Sequence, residues 1–580
     1  ARRPASGAAP AGGPESARRA RAAVWAVGVG VPAGRPGGNF VVLGGAAIRS
    51  VRVVAAARRR GVELTPQQVF RYQTLAELAD ASSGGAEPVA NRPAPAAGLE
   101  PVSGPDTAPA AAGAGPAGES PLAACRRLAA AEIVDAYPLA PLQDHMLDRF
   151  RVDDEPGLYL VQRIFRLTGT VDVPALARSW DRLLDRHAAL RTAFRWSGLA
   201  RPAQVVLARS PERLRVSDLT ALPAAEGTRR LTRYVEEDRR QRWEPTHPTP
   251  IRMHVFLLPG DDVRVVLTFN YMLVDGWSLG LLMRELFADY RALREGRDPE
   301  PVPVVPYRRV VDWIDAQPLG PAEGFWRDRL AGAGPTRVVA ATGGSAGRPD
   351  GAGADPSRDG FVRQHTLLDA DLTERLARAA RAHAVTPSTV VQSGWALMLA
   401  RLTGEHDVVF GATSSGRAVP VADVDAVVGP CINTLPVRIR VAGERPLAGW
   451  LTEVQRRQQQ AQAHEHVSLR ALRHWLDPAG RPLFDHYLVF QNLGELMVVD
   501  ELPGLRLRDE VPQFFTKMEY PLRVDFFPGP RLGVFLSYHQ RYLADQTVRD
   551  LLSAFTTSLA ALCAADPAAP VGDVLAGSAR

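Results

Sequence analysis

The chain is almost without lysine. Lys517 is the only one, and arginine supplies the rest of the 69 basic residues, set against 63 acidic ones. The acids are interleaved with the arginines, and no block of five or six like charges occurs. That pattern argues against a nucleic-acid partner in spite of the net charge of +6. Cysteine is scarce as well. Cys125, Cys431 and Cys563 are too few and too scattered for a disulfide framework or a zinc site, so no metal is expected, and a reducing cytoplasm is the expected setting. No apolar run approaches the roughly 18 residues of a membrane span, so no membrane partner is expected either. The first twenty residues lack the apolar stretch of a secretion signal. An initiating methionine is also missing, which reads as a fragment of a longer polypeptide.

What is present is ordinary globular composition, 46% hydrophobic and 23% charged. At 580 residues the chain exceeds one comfortable core, so several domains are expected. Residues 1–20 are low-complexity and predicted to be disordered. Residues 21–82 carry helical signals. Ile48, Val51 and Val54 recur at helical spacing, Gly61 follows three arginines as a stop, and Thr65-Pro66 opens a further helix. Residues 83–131 are rich in Pro, Ala, Gly and Ser, a linker too long for the inside of a compact unit.

The remainder alternates helices and strands. Helical periodicity covers 173–190 and 279–295. Residues 264–269, 408–410 and 435–441 read as strands. Two α/β lobes are predicted, at 132–305 and 306–580.

The run that carries the chemistry is Phe269-Asn270-Tyr271-Met272-Leu273-Val274-Asp275-Gly276-Trp277-Ser278. It resembles the His-His-x-x-x-Asp-Gly signature of nonribosomal peptide synthetase condensation domains, with both histidines replaced, by Asn270 and Tyr271. Other runs resemble that family in chain order. They include Tyr137-Pro138-Leu139 with Gln143, Arg186-His187 with Leu190-Arg191-Thr192 and Phe194, then Ser415-Gly416-Arg417, and Gly429-Pro430 with Asn433-Thr434-Leu435-Pro436. The resemblance implies two chloramphenicol-acetyltransferase-like lobes in a V, with a tunnel that carrier-tethered aminoacyl or peptidyl thioesters enter. It also makes Tyr271, Asn270, Asp275 and Gly276 the candidate catalytic positions, with Trp277, Ser278 and Asn433 on the substrate tunnel.

Residues 21–82 resemble a peptidyl carrier protein, a four-helix bundle, through Leu43-Gly44-Gly45, Phe70 and Leu75-Ala76-Glu77-Leu78. In that family a serine two residues after the glycine pair receives phosphopantetheine from a phosphopantetheinyl transferase. Here the position is Ala47, which has no hydroxyl. The resemblance therefore places phosphopantetheine on partner carriers, and on this chain only if serine is restored.

A histidine titrates near 6.5 and can accept a proton at neutral pH. A phenol, with a reference pKa near 10, is a poor base but a usable hydrogen-bond donor. Tyr271 is therefore expected to donate a hydrogen bond or to wall the tunnel, with no imidazole titration from this position. Asp275 is expected to brace the loop through an ion pair, and Ser278 to cap the helix that follows. His187 is expected to be structural, while His464 and His466 fall in a later loop. Two functions follow. One is an enzyme performing atypical amide formation or cyclising release, favoured by a chain that ends shortly after the domain. The other is a silent platform that recruits a tailoring enzyme.

Overall fold

The computed structural model describes residues 132–152, 157–241, 243–247, 251–343, 360–441, 443–477, 481–491, 505–507 and 513–577. The expectations for 1–131, with the carrier bundle, its Ala47 and the linker, lie outside the described residues.

Fifteen strands among the described residues form three sheets. A small one joins β1 (Ile133–Pro138), β4 (Ala203–Leu207) and β3 (Thr192–Arg195), all antiparallel. The first large sheet holds β2 (Leu160–Gly169), β5 (Arg215–Asp218), β6 (Ile251–Leu258) and β7 (Asp262–Asn270) in the order β2-β7-β6-β5. The second large sheet has the order β10-β9-β11-β14-β15-β8. These strands are β8 (Phe361–Leu367), β9 (Asp407–Ser414), β10 (Asn433–Arg440), β11 (His486–Phe490), β14 (Leu522–Phe527) and β15 (Gly533–His539).

One exchange crosses this division. The strands β12 (Leu505–Leu507) and β13 (Gln513–Thr516) both pair antiparallel with β2 in the first sheet, although they lie between β11 and β14 in sequence. A single boundary at residue 305 does not contain them.

Local sequence accounts for the elements around the site. The strand β7 is buried on both faces along most of its length, and its Val-Val-Leu-Thr-Phe run is correspondingly near-continuous in apolar side chains. Helix α1 (Pro141–Val152) leads out of the small sheet. Helix α2 (Val173–Arg186) is capped by Asp172, whose side chain accepts from the Ala175 amide, and carries proline in its first turn. It stops four residues short of the predicted 190 because His187 adopts extended backbone and a short 3₁₀ turn, Ala188–Arg191, follows. Helix α3 (Gly276–Arg294) leaves the end of β7 and packs on α2.

Three ion pairs, one of them Arg182 to Asp289 at 3.0 Å, and a histidine bond fasten α2 to α3. Arg186 reaches Glu285 at 2.7 Å and Asp289 at 2.9 Å, and the His187 Nε2 lies 2.8 Å from Glu285. One hydrophobic core crosses the lobes here, joining Met272, Leu273 and Trp277 to Val428, Phe484 and Tyr487. A second core lies wholly between residues 338 and 574.

Candidate functional site

Strand β7 delivers Asn270 at its last position, and the chain then turns through 271–273 before α3 starts at Gly276. Asn270 shapes that turn. Its Oδ1 accepts from the Met272 amide at 3.0 Å and its Nδ2 donates to the Leu158 carbonyl at 3.2 Å. Gln143 of α1 holds the next residue, donating to the Met272 carbonyl at 2.7 Å. Tyr271 is pinned by its amide, which donates to the Tyr159 carbonyl at 3.0 Å.

The Tyr271 side chain meets the other lobe. Arg523 of β14 donates from Nη1 to the Tyr271 hydroxyl oxygen at 3.0 Å, with its guanidinium carbon 5.4 Å from the ring centroid. Asp525 takes the rest of that guanidinium as a bidentate partner, at 2.8 and 2.7 Å, and also accepts from Gln491 at 3.0 Å. Burial alone would lower the Arg523 pKa. Asp525, Tyr271 and Tyr487 outweigh that and hold it well above the ordinary arginine value. Because arginine donates into the phenolic oxygen, the Tyr271 proton is left to donate elsewhere.

Tyr271 and Arg523 line a cavity of about 110 Å³, together with Gly276, Trp277, Leu142, Met146 and Met518. Tyr487, Ser414, Thr413 and Thr434 add polar groups to its wall. Among the described residues no histidine lines it.

Asp275 points away from that chemistry. It is fully buried and caps α3 by accepting from the Ser278 amide at 2.7 Å. It pairs with Arg417 at 3.3 Å and accepts from the Cys431 amide at 3.0 Å. The cap of α3 is therefore Asp275 and not Ser278, since a cap precedes the first helical residue and its side chain reaches amides further on. Ser278 instead ties the lobes. Its hydroxyl donates to the Gly429 carbonyl at 2.9 Å and accepts from the Gly429 amide at 3.0 Å. Trp277 donates from its indole to the Asp425 carbonyl at 2.8 Å and presents its ring to the cavity.

Asn433 is occupied elsewhere. It is buried and donates to the Glu465 and Val467 carbonyls, both at 2.8 Å, while its neighbours Ile432 and Thr434 reach the cavity wall. The structure thus brings Asn270, Tyr271, Gly276 and Trp277 to the cavity or its rim. It turns the polar atoms of Asp275, Ser278 and Asn433 to backbone and to Arg417.

Motif spacing does not reach Arg523 and Asp525. Their signal is there all the same, since Arg-x-Asp at 523–525 places two charges on one face of an otherwise apolar strand. Glu465 belongs to no motif either. It is deeply buried, bonded by Ser414, and burial pushes its carboxyl up to about 7, the bonds from Ser414 and the Ala418 amide offsetting only part of the shift. Of the two histidines in the later loop, His464 stacks on Phe325 at 4.2 Å, and burial lowers the pKa of both His464 and His466.

Comparison with known proteins places this geometry. The condensation-domain family matches residues 133–579, and the phosphopantetheine attachment site family matches residues 22–82. The chain belongs to the condensation-domain family. Its lobes have the chloramphenicol-acetyltransferase-like fold of that family, and a carrier-type segment precedes them. One of the linear gramicidin synthase proteins of Brevibacillus parabrevis is 35% identical over 426 residues, covering 72% of this chain and 5% of that protein. Surfactin synthase subunit 3 of Bacillus subtilis is 27% identical over 446 residues, covering 76% of this chain and 34% of that protein. The chain thus spans only a small part of such relatives. Among solved structures, the first condensation domain of the calcium-dependent antibiotic synthetase superposes with a TM-score of 0.62 at 21% identity, covering 76% of this chain and 98% of that one. The X-domain from teicoplanin biosynthesis superposes with a TM-score of 0.63 at 23% identity, covering 75% and 96%. Phosphopantetheine is the group that the 22–82 family carries. Ala47, at the position that the sequence resemblance gives to the attachment serine, has no side-chain oxygen.

Proposed function

We propose that the domain forms an amide from a carrier-tethered aminoacyl or peptidyl thioester, either by atypical condensation or by cyclising release. The observation that carries this reading is the Tyr271–Arg523 bond at the cavity wall. A polar donor set faces the cavity, while the Asp275–Arg417 brace that shapes the loop is complete. Phosphopantetheine on a partner carrier supplies the thioester.

In the reaction the amine nitrogen attacks the thioester carbonyl, whose oxygen takes up negative charge. The C–S bond then breaks, and the thiol leaves with the proton the amine gives up. Tyr271, its oxygen already holding the Arg523 hydrogen bond, donates its own proton toward the developing oxyanion. A charge-assisted donor in a closed site is worth more than one in water. Positioning supplies much of the rest, because a free amine is already a good nucleophile for a thioester.

The test is product formation from a synthetic peptidyl thioester on a carrier, with and without this protein. Equal rates would sink the enzyme reading. Tyr271→Phe keeps the ring and removes the donor, so the turnover number should fall by about 10²–10³-fold with KM little changed.

The second reading is a silent platform for a tailoring enzyme. It is favoured by one observation, the lack of any histidine on the cavity wall among the described residues. On that reading Tyr271→Phe changes no rate. The carrier segment has its own prediction. The chain as written should take no phosphopantetheine, and Ala47→Ser should gain one arm's mass with a promiscuous phosphopantetheinyl transferase. Intact-mass spectrometry decides it, and a gain on the unaltered chain would show that the attachment position is misassigned.

A further inference from the structure

We propose that His145, oriented by Glu519, is the proton acceptor for the amine at this cavity, standing on α1 rather than on the turn after β7. The inference rests on the amide-forming reading above.

Three observations carry it. His145 does not itself line the cavity; it stands on α1 three residues after Leu142 and one before Met146, both of them wall residues. Across from it, Met518 is also a wall residue and Glu519 is the next in the chain. The imidazole is 2% exposed, and its Nε2 lies 2.5 Å from the Glu519 carboxylate. Its other nitrogen, Nδ1, is buried and has no hydrogen-bond partner among the described residues.

Glu519 is built to orient. Burial would raise its pKa, but His145, Arg149 and Tyr159 together lower it below the ordinary carboxylate value. Arg149 lies 3.1 Å away and the Tyr159 hydroxyl donates at 3.1 Å. An ionised carboxylate can only accept, so a neutral imidazole facing it carries its proton on Nε2 and leaves the Nδ1 lone pair available. The arrangement is that of a base held in one tautomer by a carboxylate.

The same cluster is tied to the turn that carries Tyr271. Tyr159, the Glu519 donor, accepts the Tyr271 amide on its carbonyl and donates its own amide to the Lys517 carbonyl at 2.8 Å. It does so at a φ of 61°, a left-handed conformation that is costly for tyrosine. Met146 and Met518, the chain neighbours of His145 and Glu519, both line the cavity and are among the most adaptable of apolar side chains, and the proposal requires one of them to turn aside so that Nδ1 meets the bound amine.

The charged and titratable groups around His145 are Asp144, Asp148 and Arg149 on α1, then Lys517, Glu519 and Tyr520, and Tyr159. From the helix Leu469–Leu476, which packs on α1, come Arg470, paired with Asp144 at 3.0 Å, and Arg473. The step balances. The attacking amine's proton passes to Nδ1 as the C–N bond forms, and the imidazolium returns it to the departing thiolate.

The experiment is a pH profile of kcat/KM with a synthetic thioester donor on a carrier and a free amine acceptor. Wild type, His145→Gln, His145→Ala with added imidazole, and Glu519→Gln are compared. The substrate amine contributes its own ascending limb in every variant. Wild type should show a second limb that His145→Gln lacks, with a rate loss of about 10²–10⁴-fold. Imidazole should restore at least tenfold to His145→Ala, and Glu519→Gln should lower kcat/KM by releasing the His145 imidazole from its single tautomer. Independently of turnover, nitrogen NMR of histidine-labelled wild type should find Nε2 protonated and Nδ1 bare.

Wild-type turnover unaffected by His145→Gln would overturn this inference alone. So would a limb that survives His145→Gln and vanishes in Glu465→Gln, or an Nδ1-protonated tautomer. Absence of turnover in wild type at every pH would overturn the functional reading, and this inference with it.

Discussion

Asp275→Ala is expected to destabilise the condensation domain by about 3–5 kcal/mol, seen as a fall of several degrees in its unfolding temperature. The substitution removes three interactions at once. Arg417 loses the carboxylate it pairs with while remaining 2% exposed, so a buried charge is left against carbonyl oxygens. The Ser278 amide loses the cap acceptor of α3, worth about 1 kcal/mol, and the Cys431 amide loses its acceptor across the lobes. The double variant Asp275→Leu with Arg417→Met should recover part of the loss, because it removes the stranded charge along with its partner. Activity should fall only in proportion to the folded fraction. An Asp275→Ala protein with unchanged unfolding temperature and abolished turnover would show that this carboxylate takes part in the chemistry.

Glu465 gives the second large effect, and its sign is opposite to that of most carboxylates. Its folded pKa is raised to about 7 by burial, whereas the unfolded chain titrates near the ordinary glutamate value. Between those values the unfolded state gives up the proton and the folded state retains it. Stability therefore falls as pH rises from about 4.5 to about 7, and remains reduced above. The full shift corresponds to about 3 kcal/mol. Glu465→Gln stays neutral, keeps an oxygen to accept from Ser414, and removes this dependence. The difference in unfolding temperature between variant and wild type should be small near pH 5 and should grow in favour of the variant up to pH 8. A difference that is flat across that range would mean Glu465 ionises normally in the folded protein.

Much of this site could be read along the chain. The turn after β7, the helix that follows Asp275 and the strand that delivers Asn270 are local events, written in an apolar β-branched run and helical spacing, although the cap expected at Ser278 is Asp275. The ordered motifs between Tyr137 and Leu435 likewise identified the family that the comparisons found. The helix expected over 173–190 ended at Arg186, because the extended backbone of His187 serves its bond to Glu285 rather than helical propensity. That bond joins positions 98 residues apart, beyond the reach of any periodicity argument.

By itself, then, the sequence determined the family and the place of the 270–278 run in the chain. Each depends on residue type and on spacing within a few residues. Tertiary structure alone decided the rest. It set Arg523 against a tyrosine 252 positions away, moved β12 and β13 into the first sheet, and turned Ser278 and Asn433 from the cavity to backbone partners. It also brought His145 to Glu519 across 374 positions. The physical reason is that the partner of a buried polar group is chosen by which elements pack together. An arginine or histidine in a dry interior needs a counter-charge or an acceptor, and only the packed lobes determine which one it finds.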